Sequence, residues 1–574
     1  MPITVTVLDT AGIQPFIFGS NVLRENIGAS ELVYRATRLW VFEALDEMRI
    51  AHNIDMAAAR ADDVQKMYVH TFQAGPDPAG APPEGAEVLY AGGGNTVILF
   101  QGADPLSTAQ DFVYRLSLRL LSDAPGLNLY AVHKDYVWCN EKKSLPATVE
   151  EALKELGHSK GSDPGSLPAL GLPVTAACTS TGLPANDRHP DKKGKTGAAS
   201  RANKQVWQKW TKADLAGERL RNLFPRVAEA RFEWTDDFNT LAALPQRDDS
   251  YVAVVHADGN GMGARIKALT EHWSAKPEKP RDYITAMRAL SNKVQTTAVS
   301  ALQRTLNALV DHLARDNWQE PRQHHRDQDG KHYFPVRPVV FGGDDVTLVC
   351  AGPWGLAVAQ RYLMELEEEQ LSDDRSDRPY ACAGVAIVKT HYPFSQAYEL
   401  SEELTKLAKG HAKRLAEKKA SAIDWHVTTT GLHGDLDAIR RREYTVEAGY
   451  LTMRPLMLHK ELTWRNWANL RGLLRIFGEG GEWQEKRNKT MRLRETLRRG
   501  PHAVAEFWTI FGDDEGEVIR QSGFEPAGVP VNGWVAPGEE DLKEDEQARS
   551  RCAYFDAIEI ADYYFELPPT QEGA

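Results

Sequence analysis

The 574-residue sequence has only five cysteines, Cys139, Cys178, Cys350, Cys382 and Cys552, and no two of them form a CxxC pair. That spacing excludes a disulfide framework and a four-cysteine zinc site. No apolar run approaches the ~18 residues of a membrane span. The opening MPITVTVLDTAG has neither the basic nor the apolar region of a secretion signal. The expectation is therefore a chain with no membrane partner, in a reducing, cytoplasmic compartment. Positive charge is not in excess either. Lys and Arg number 68 and Asp and Glu 80, a net charge of −12. Bulk charge does not hold such a chain on nucleic acid, so contacts of that kind must come from local basic patches. What is present is ordinary globular material, 42% hydrophobic and 26% charged. The length predicts three or four domains at about 150 residues each.

Three stretches read as loops or solvated surface. Residues 74–88 are rich in Gly, Pro and Ala. Residues 158–204 lack apolar periodicity, and Arg188 to Lys212 holds eight basic residues against Asp191 alone. Residues 539–546 (EEDLKEDE) are acidic. A solvated face explains each charge run, and the basic one could also follow a phosphate backbone.

The sequence contains an internal repeat. AGGGNTVILF (91–100) matches FGGDDVTLVC (341–350), each a Gly-Gly turn running into a β-branched strand. A helical stretch follows each (105–122 and 353–370), then a strand (126–133 and 380–388). Ahead of each lies a strand and a helix, 3–9 and 28–50 in the first copy, 251–257 and 284–315 in the second. The shared order β, α, β, turn, β, α, β predicts a duplicated α/β domain rather than a solenoid. The second copy continues with a helix at 395–418, where Leu400, Leu404, Leu407 and His411 recur at helical spacing, and a strand at 420–428. Beyond 431 the pattern is mainly helical. Trp464, Trp467, Leu470, Leu473 and Leu474 mark a buried face there, and 440–442 and 486–499 mark basic ones.

Two segments of the second copy carry chemistry. In YVAVVHADGNGMG (251–263) an apolar strand delivers Asp258 to a loop with three glycines and then a helix. Such a loop lets backbone N–H groups approach and cradle phosphates, although Asp-Gly-Asn-Gly is also a common tight turn. In PVVFGGDDVTLVC (338–350), Gly342 and Gly343 suit a hairpin, while the paired Asp344 and Asp345 run straight into a strand, where Asp is depleted. A hairpin paired beside the first strand would bring Asp258, Asp344 and Asp345 together. At ~4 Å each carboxylate pair repels by roughly 4 kcal/mol at an effective dielectric near 20, which a fold tolerates when cations or protons are taken up. Mg²⁺ takes oxygen ligands from one or two carboxylates plus substrate phosphates, and two such ions can hold a triphosphate and activate a hydroxyl.

With these residues in hand, the strand ending in HADGNGMG, the GGDD hairpin and the later Leu407-Ala408-Lys409 helix resemble the polymerase/cyclase palm. Within that group the chain resembles the large polymerase-like subunit of type III CRISPR effector complexes. Phe16 to Phe18, Leu23 to Glu31, GVAIVKTHYPF (384–394) and Met453-Arg454-Pro455 add to the likeness, which covers about residues 1–430 and extends loosely beyond. The resemblance implies an α/β (α+β) chain of two tandem ferredoxin-like palm domains with a helical C-terminal domain. The expected boundaries are a degenerate first palm at 1–150, a basic linker at 151–235, the catalytic palm at 236–430 and the helical domain at 431–574. It implies synthesis of cyclic oligoadenylate from ATP with Mg²⁺ or Mn²⁺, a second-messenger reaction in antiviral defence. Asp258, Asp344 and Asp345 would be the metal-binding and catalytic carboxylates. Gly259, Asn260, Gly261, Gly263, Gly342, Gly343 and Lys409 would meet the nucleotide. Implied partners are ATP, guide or target RNA and other effector subunits, with self-association a further option.

The departures from the family pattern are specific. The first copy reads Gly92-Gly93-Gly94-Asn95, so neither hairpin carboxylate survives, and Asp9 alone would not hold two metals; that palm is expected to be catalytically dead. Asn260 stands where the family often has an acid. No His-Asp dipeptide occurs, so the family's nuclease domain is expected to be absent. CTSTGLPA (178–185) looks like a decayed zinc ribbon with one cysteine left. His256, Cys350 and Cys382 read as core residues, and His324-His325 as a solvated pair. Competing readings are a GGDEF-type cyclic dinucleotide synthase, which would need one palm per subunit, a templated polymerase, which would need fingers and thumb, and a non-catalytic scaffold subunit that binds RNA and partner proteins.

Overall fold

The structure is a computed structural model. It describes residues 2–75, 84–162, 174–188, 201–243, 250–315, 330–372, 374, 377–416, 419–428, 435–478, 481, 483–511, 532–538 and 548–567. His324-His325, the acidic run at 539–546 and most of the basic run, from 189 to 200, lie outside the described residues. The chain folds into two units. One comprises Met1–Leu223, Gly261–Val299 and Val339–Asp344, the other Phe224–Asn260, Ser300–Pro338 and Asp345–Ala574.

The elements that position the functional residues follow in chain order. They are β1 (Pro2–Ala11), α1 (Leu23–Tyr34), α2 (Trp40–Glu47), β2 (Gly85–Gly92), β3 (Asn95–Gln101), α3 (Pro105–Asp123), β4 (Asn128–Val137), α4 (Leu145–Ser162), α5 (Lys204–Leu223), β5 (Tyr251–Gly259), α6 (Met262–Ser274) and α7 (Pro280–Arg315). Then come β6 (Val336–Val340), β7 (Asp345–Ala351), α8 (Gly355–Glu367), β8 (Ala381–Lys389), α9 (Phe394–Ala416), β9 (Ala422–Val427), α10 (Leu436–Glu443), β10 (Leu456–Met457) and α11 (Trp467–Phe477).

In the first unit the sheet order is β2-β3-β1-β4, with β1 antiparallel to both neighbours. A β-α-β-β-α-β chain whose sheet reads 2-3-1-4 is the split βαβ, ferredoxin-like arrangement. The alternation along β1 supplies one apolar face. Ile3, Val5 and Val7 pack with Leu89, Val97, Leu99 and Val132, with Leu145, Val149 and Leu156 of α4, and with Tyr283, Ile284 and Met287 of α7. Each such side chain, fully buried, is worth about 1.5–3 kcal/mol. The sequence predicted one helix over 284–315; the structure places α6 ahead of it and begins α7 at Pro280.

In the second unit the sheet order is β6-β7-β5-β8-β9-β10. The first four strands repeat the 2-3-1-4 order of the first sheet, and β9 adds a parallel strand beside β8. Helix α9 covers this sheet. Leu400, Leu404, Ala408 and His411 form its buried face, and Gly384 allows the close approach, since a Cβ there would lie 2.1 Å from the Ser401 carbonyl oxygen. Beyond 431 the described residues are not only helical. Leu456–Met457 pairs with β9, and strands of two or three residues at Thr445–Val446, Gly449–Tyr450, Ser550–Cys552 and Trp534–Val535 form a small sheet. Strands that short carry no alternation for a sequence reading to find. Of the face expected here, Trp467, Leu470, Leu473 and Leu474 are buried on α11, while Trp464 lies ahead of the helix and is half-buried.

Candidate active site

Strand β5 is buried from Tyr251 to Ala257 and surfaces at Asp258. Asp345, the first residue of β7, is the direct antiparallel partner of Asp258. Like charges directly opposite on paired strands oppose pairing, so this register is held by the apolar residues behind it, Val346, Leu348 and Val349, all buried. Gly342, with φ +97°, and Gly343 form the bend that joins β6 to β7. Asp344 follows them, and carboxylate oxygens of Asp258, Asp344 and Asp345 lie within 4.8 Å of one another. Three hard oxygen donors at that spacing match the donor preference of Mg²⁺ or Mn²⁺.

Lys409 reaches this cluster from α9. Its Nζ forms an ion pair with the Asp258 carboxylate and donates to the Gly259 carbonyl at 3.0 Å. Thr405, one turn earlier on the same helix face, donates to the His256 carbonyl at 2.9 Å. The two contacts fix α9 along the end of β5. Gly259 thus uses its carbonyl on Lys409. Asn260, expected at the nucleotide, is buried. Its backbone N–H donates to the Tyr380 carbonyl at 2.7 Å and its Nδ2 to the Ala420 carbonyl at 3.0 Å, so it anchors the loop. Gly261 adopts φ +77° and opens α6, and added Cβ atoms at Gly261 and Gly263 would meet nothing within 4 Å. The loop therefore has the open backbone that phosphate approach requires.

His256, Cys350 and Cys382 are buried, as read from the sequence. The His256 ring lies against Tyr398 at 5.5 Å, and burial lowers its proton affinity. Burial likewise pushes the Cys382 thiol up to about 11. The Cys178 turn is closed by backbone hydrogen bonds, from Cys178 N–H to the Leu183 carbonyl at 2.7 Å and from Gly182 N–H to the Cys178 carbonyl at 2.9 Å.

The first sheet repeats the geometry with different chemistry. Asp9 is the cross-strand partner of Asn95, as Asp258 is of Asp345. Lys160 on α4 lies 2.5 Å from the Asp9 carboxylate and donates to the Thr10 carbonyl at 3.1 Å, as Lys409 does to Asp258 and Gly259. Sequence reading missed Lys160. The signal was its place in the repeat, late in the helix after the fourth strand, where Lys409 stands in the second copy.

Residues 251–417 match the family model for Cas10/Cmr2, second palm domain. No curated protein matches the chain. Solved structures similar to it include the Csm1–Csm4 cassette in complex with cA4, at 12% identity over 97% of this chain and 69% of that one with a TM-score of 0.48. Csm1 of T. onnurineus is similar at 14% identity, with the same coverage and TM-score. The segment 251–417, which holds Asp258, the GGDD hairpin and Lys409, is thus similar to the second palm domain of Cas10/Cmr2, in line with the polymerase-like palm that its motifs resemble.

Proposed function

We propose that the chain is a nucleotidyltransferase that joins ATP into cyclic oligoadenylate at its second palm. The observation that carries this is the carboxylate triad, Asp258, Asp344 and Asp345, gathered within 4.8 Å at the head of paired strands. In the reaction a ribose hydroxyl gives up its proton to solvent and its oxygen attacks the α-phosphorus of a second ATP. The bond from that phosphorus to the bridging oxygen breaks, and pyrophosphate leaves with the electron pair. When bound by the triad, divalent metal supplies charge neutralisation and activation of the hydroxyl. The chain's own parts do the rest. Asp258, Asp344 and Asp345 hold the cations, the Gly261–Gly263 backbone cradles phosphate, and the Lys409 ammonium holds Asp258 in place and adds positive charge for the triphosphate. Effector subunits and guide or target RNA are partners in the same proposal, and a scaffold role is compatible with it.

The test is product analysis by mass spectrometry. Wild type and the Asp344→Ala/Asp345→Ala variant are incubated with all four NTPs and Mg²⁺ or Mn²⁺, with and without target RNA and the subunits encoded beside it. Oligoadenylates from wild type that fall to background in the variant are expected. Equal turnover in the two would overturn the assignment.

A further inference from the structure

The GGDD hairpin cannot hold its own shape, because Gly342 and Gly343 have the greatest backbone freedom of any residues. On one side it is fixed by the Asp345 to Asp258 register. On the other, the last residue before the glycines is Phe341, and its ring rests on a guanidinium. The Cζ of Arg219, on α5, lies 4.6 Å from the centroid of the Phe341 ring and 3.9 Å from that of the Tyr34 ring. The stack is aligned from the edge as well. Arg219 Nη1 meets Glu31 at 3.1 Å and Nε lies 3.8 Å from Asp62. Glu31 is itself bonded by Arg35 at 2.7 Å. Asp62 is bonded by Arg38 at 2.9 Å and by the Tyr34 hydroxyl at 2.9 Å. The plane of the guanidinium is therefore set by α1, by the π-helical turn Arg35–Leu39 that follows it and by Asp62, independently of the hairpin it supports. A planar, always charged group with two faces and a fork of donors is what this arrangement uses, and lysine offers neither plane nor fork.

We infer that Arg219 is a positioning residue for the GGDD hairpin: by stacking on Phe341 it sets where Gly342 begins and so how Asp344 and Asp345 are presented. The route from Arg219 to the carboxylates runs through Phe341. The inference rests on the nucleotidyltransferase reading for its kinetic arm only.

Four variants test it: Arg219→Ala, Phe341→Ala, the double variant and Phe341→Tyr. Two readouts are used, amide hydrogen exchange of the peptides spanning 341–350 and steady-state kinetics with ATP. Faster exchange confined to 341–350 is expected in both single alanine variants. A kcat lowered by roughly ten- to a hundredfold with KM for ATP within about twofold should accompany it, as for a misplaced catalytic group. The double variant should be no worse than either single one, and Phe341→Tyr should behave as wild type. Wild-type exchange and kcat in Phe341→Ala would overturn the inference, as would additive losses in the double variant. Should Arg219→Ala fail to fold because Glu31 and Asp62 each lose one of their partners, Phe341→Ala, which removes no charge, decides the matter. If wild type makes no product under any condition, the nucleotidyltransferase reading fails, and the exchange data still judge the stack.

Discussion

Lys409 is in ionic contact with Asp258 and donates to the Gly259 carbonyl. Lys409→Met should therefore act on the empty protein as well as on catalysis. With the ammonium gone, the carboxylates of Asp258, Asp344 and Asp345 lose an attractive neighbour, and the melting temperature without metal should fall by a few degrees, as about 1 kcal/mol implies for a domain of this size. Millimolar Mn²⁺ should recover most of that loss, because it replaces the missing charge. Scanning calorimetry with and without Mn²⁺ decides it, and a metal-independent deficit would place Lys409 outside the cluster's electrostatics. Asp344 and Asp345 stood out in the sequence because Asp is depleted in strands and the pair leads directly into one, and the structure brings them together with Asp258. Lys160 did not stand out, since nothing local separates it from a solvated lysine. Asn260 was misplaced because neighbours in a glycine loop look alike until the Tyr380 and Ala420 carbonyls claim one of them.

Elements were legible where periodicity was long. The β-α-β-β-α-β order of each palm could be read from strands that, apart from the five-residue β6, run to seven to ten residues, and from helices such as α3 and α9. The docking of α5 on α1 could not be read, since it depends on one missing side chain. A Cβ at Gly28 would lie 1.6 Å from the Lys209 carbonyl oxygen and 3.1 Å from the Ala213 nitrogen. Both are backbone atoms of a helix, so neither can swing aside. Lys209 itself is buried, its Nζ donating to the Phe16 carbonyl at 2.6 Å, and burial brings its pKa down to about 8. Gly28→Ala would gain up to about 1 kcal/mol of helix propensity in α1. It should lose more, about 1–3 kcal/mol of overpacking, through forced separation of the two helices. The expected net effect is a lower urea midpoint, and a midpoint raised above wild type would show that the helices can part without cost. The same variant should loosen the Arg219 stack, since Arg219 lies on the displaced helix.

For the whole molecule, each unit is assembled from three chain segments. A repeat in the sequence gives the order of elements but not which later segment returns to cover an earlier sheet. Tyr283, Ile284 and Met287, read as part of the second copy, pack on the first sheet, and contacts between distant segments leave no periodic trace. The same holds for the polar network behind β9, which ties the last described α-helix, Phe555–Ile560, to Arg454 within the second unit. There Arg454, fully buried, meets Asp556 and Glu559, and its guanidinium lies over Trp425 and Tyr444. His426 stands beside them with its ring 6.1 Å from that of Tyr444. Burial first, then Arg454 and Arg440, hold the imidazole down to about 3. The sign follows from linkage. Below its ordinary value near 6.5 the unfolded chain takes up a proton that the folded one refuses, so stability present above pH 6.5 is lost as pH falls toward 3. Between pH 6.5 and 5 that loss is about 2 kcal/mol at most, at 1.36 kcal/mol per unit. Asp556 works the other way. Burial raises it to about 6, so its contribution is full below pH 3.8 and is lost as pH rises through 6. The two oppose each other between pH 6 and 4, which leaves the wild type with a shallow acid limb from this network. His426→Phe keeps a ring against Tyr444 and removes only the imidazole's share. On moving from pH 7 to pH 5 its melting temperature should therefore hold or rise relative to wild type by several degrees. Equal shifts in the two proteins would mean that the imidazole protonates in the fold as freely as outside it, and that the arginines around it carry no electrostatic cost.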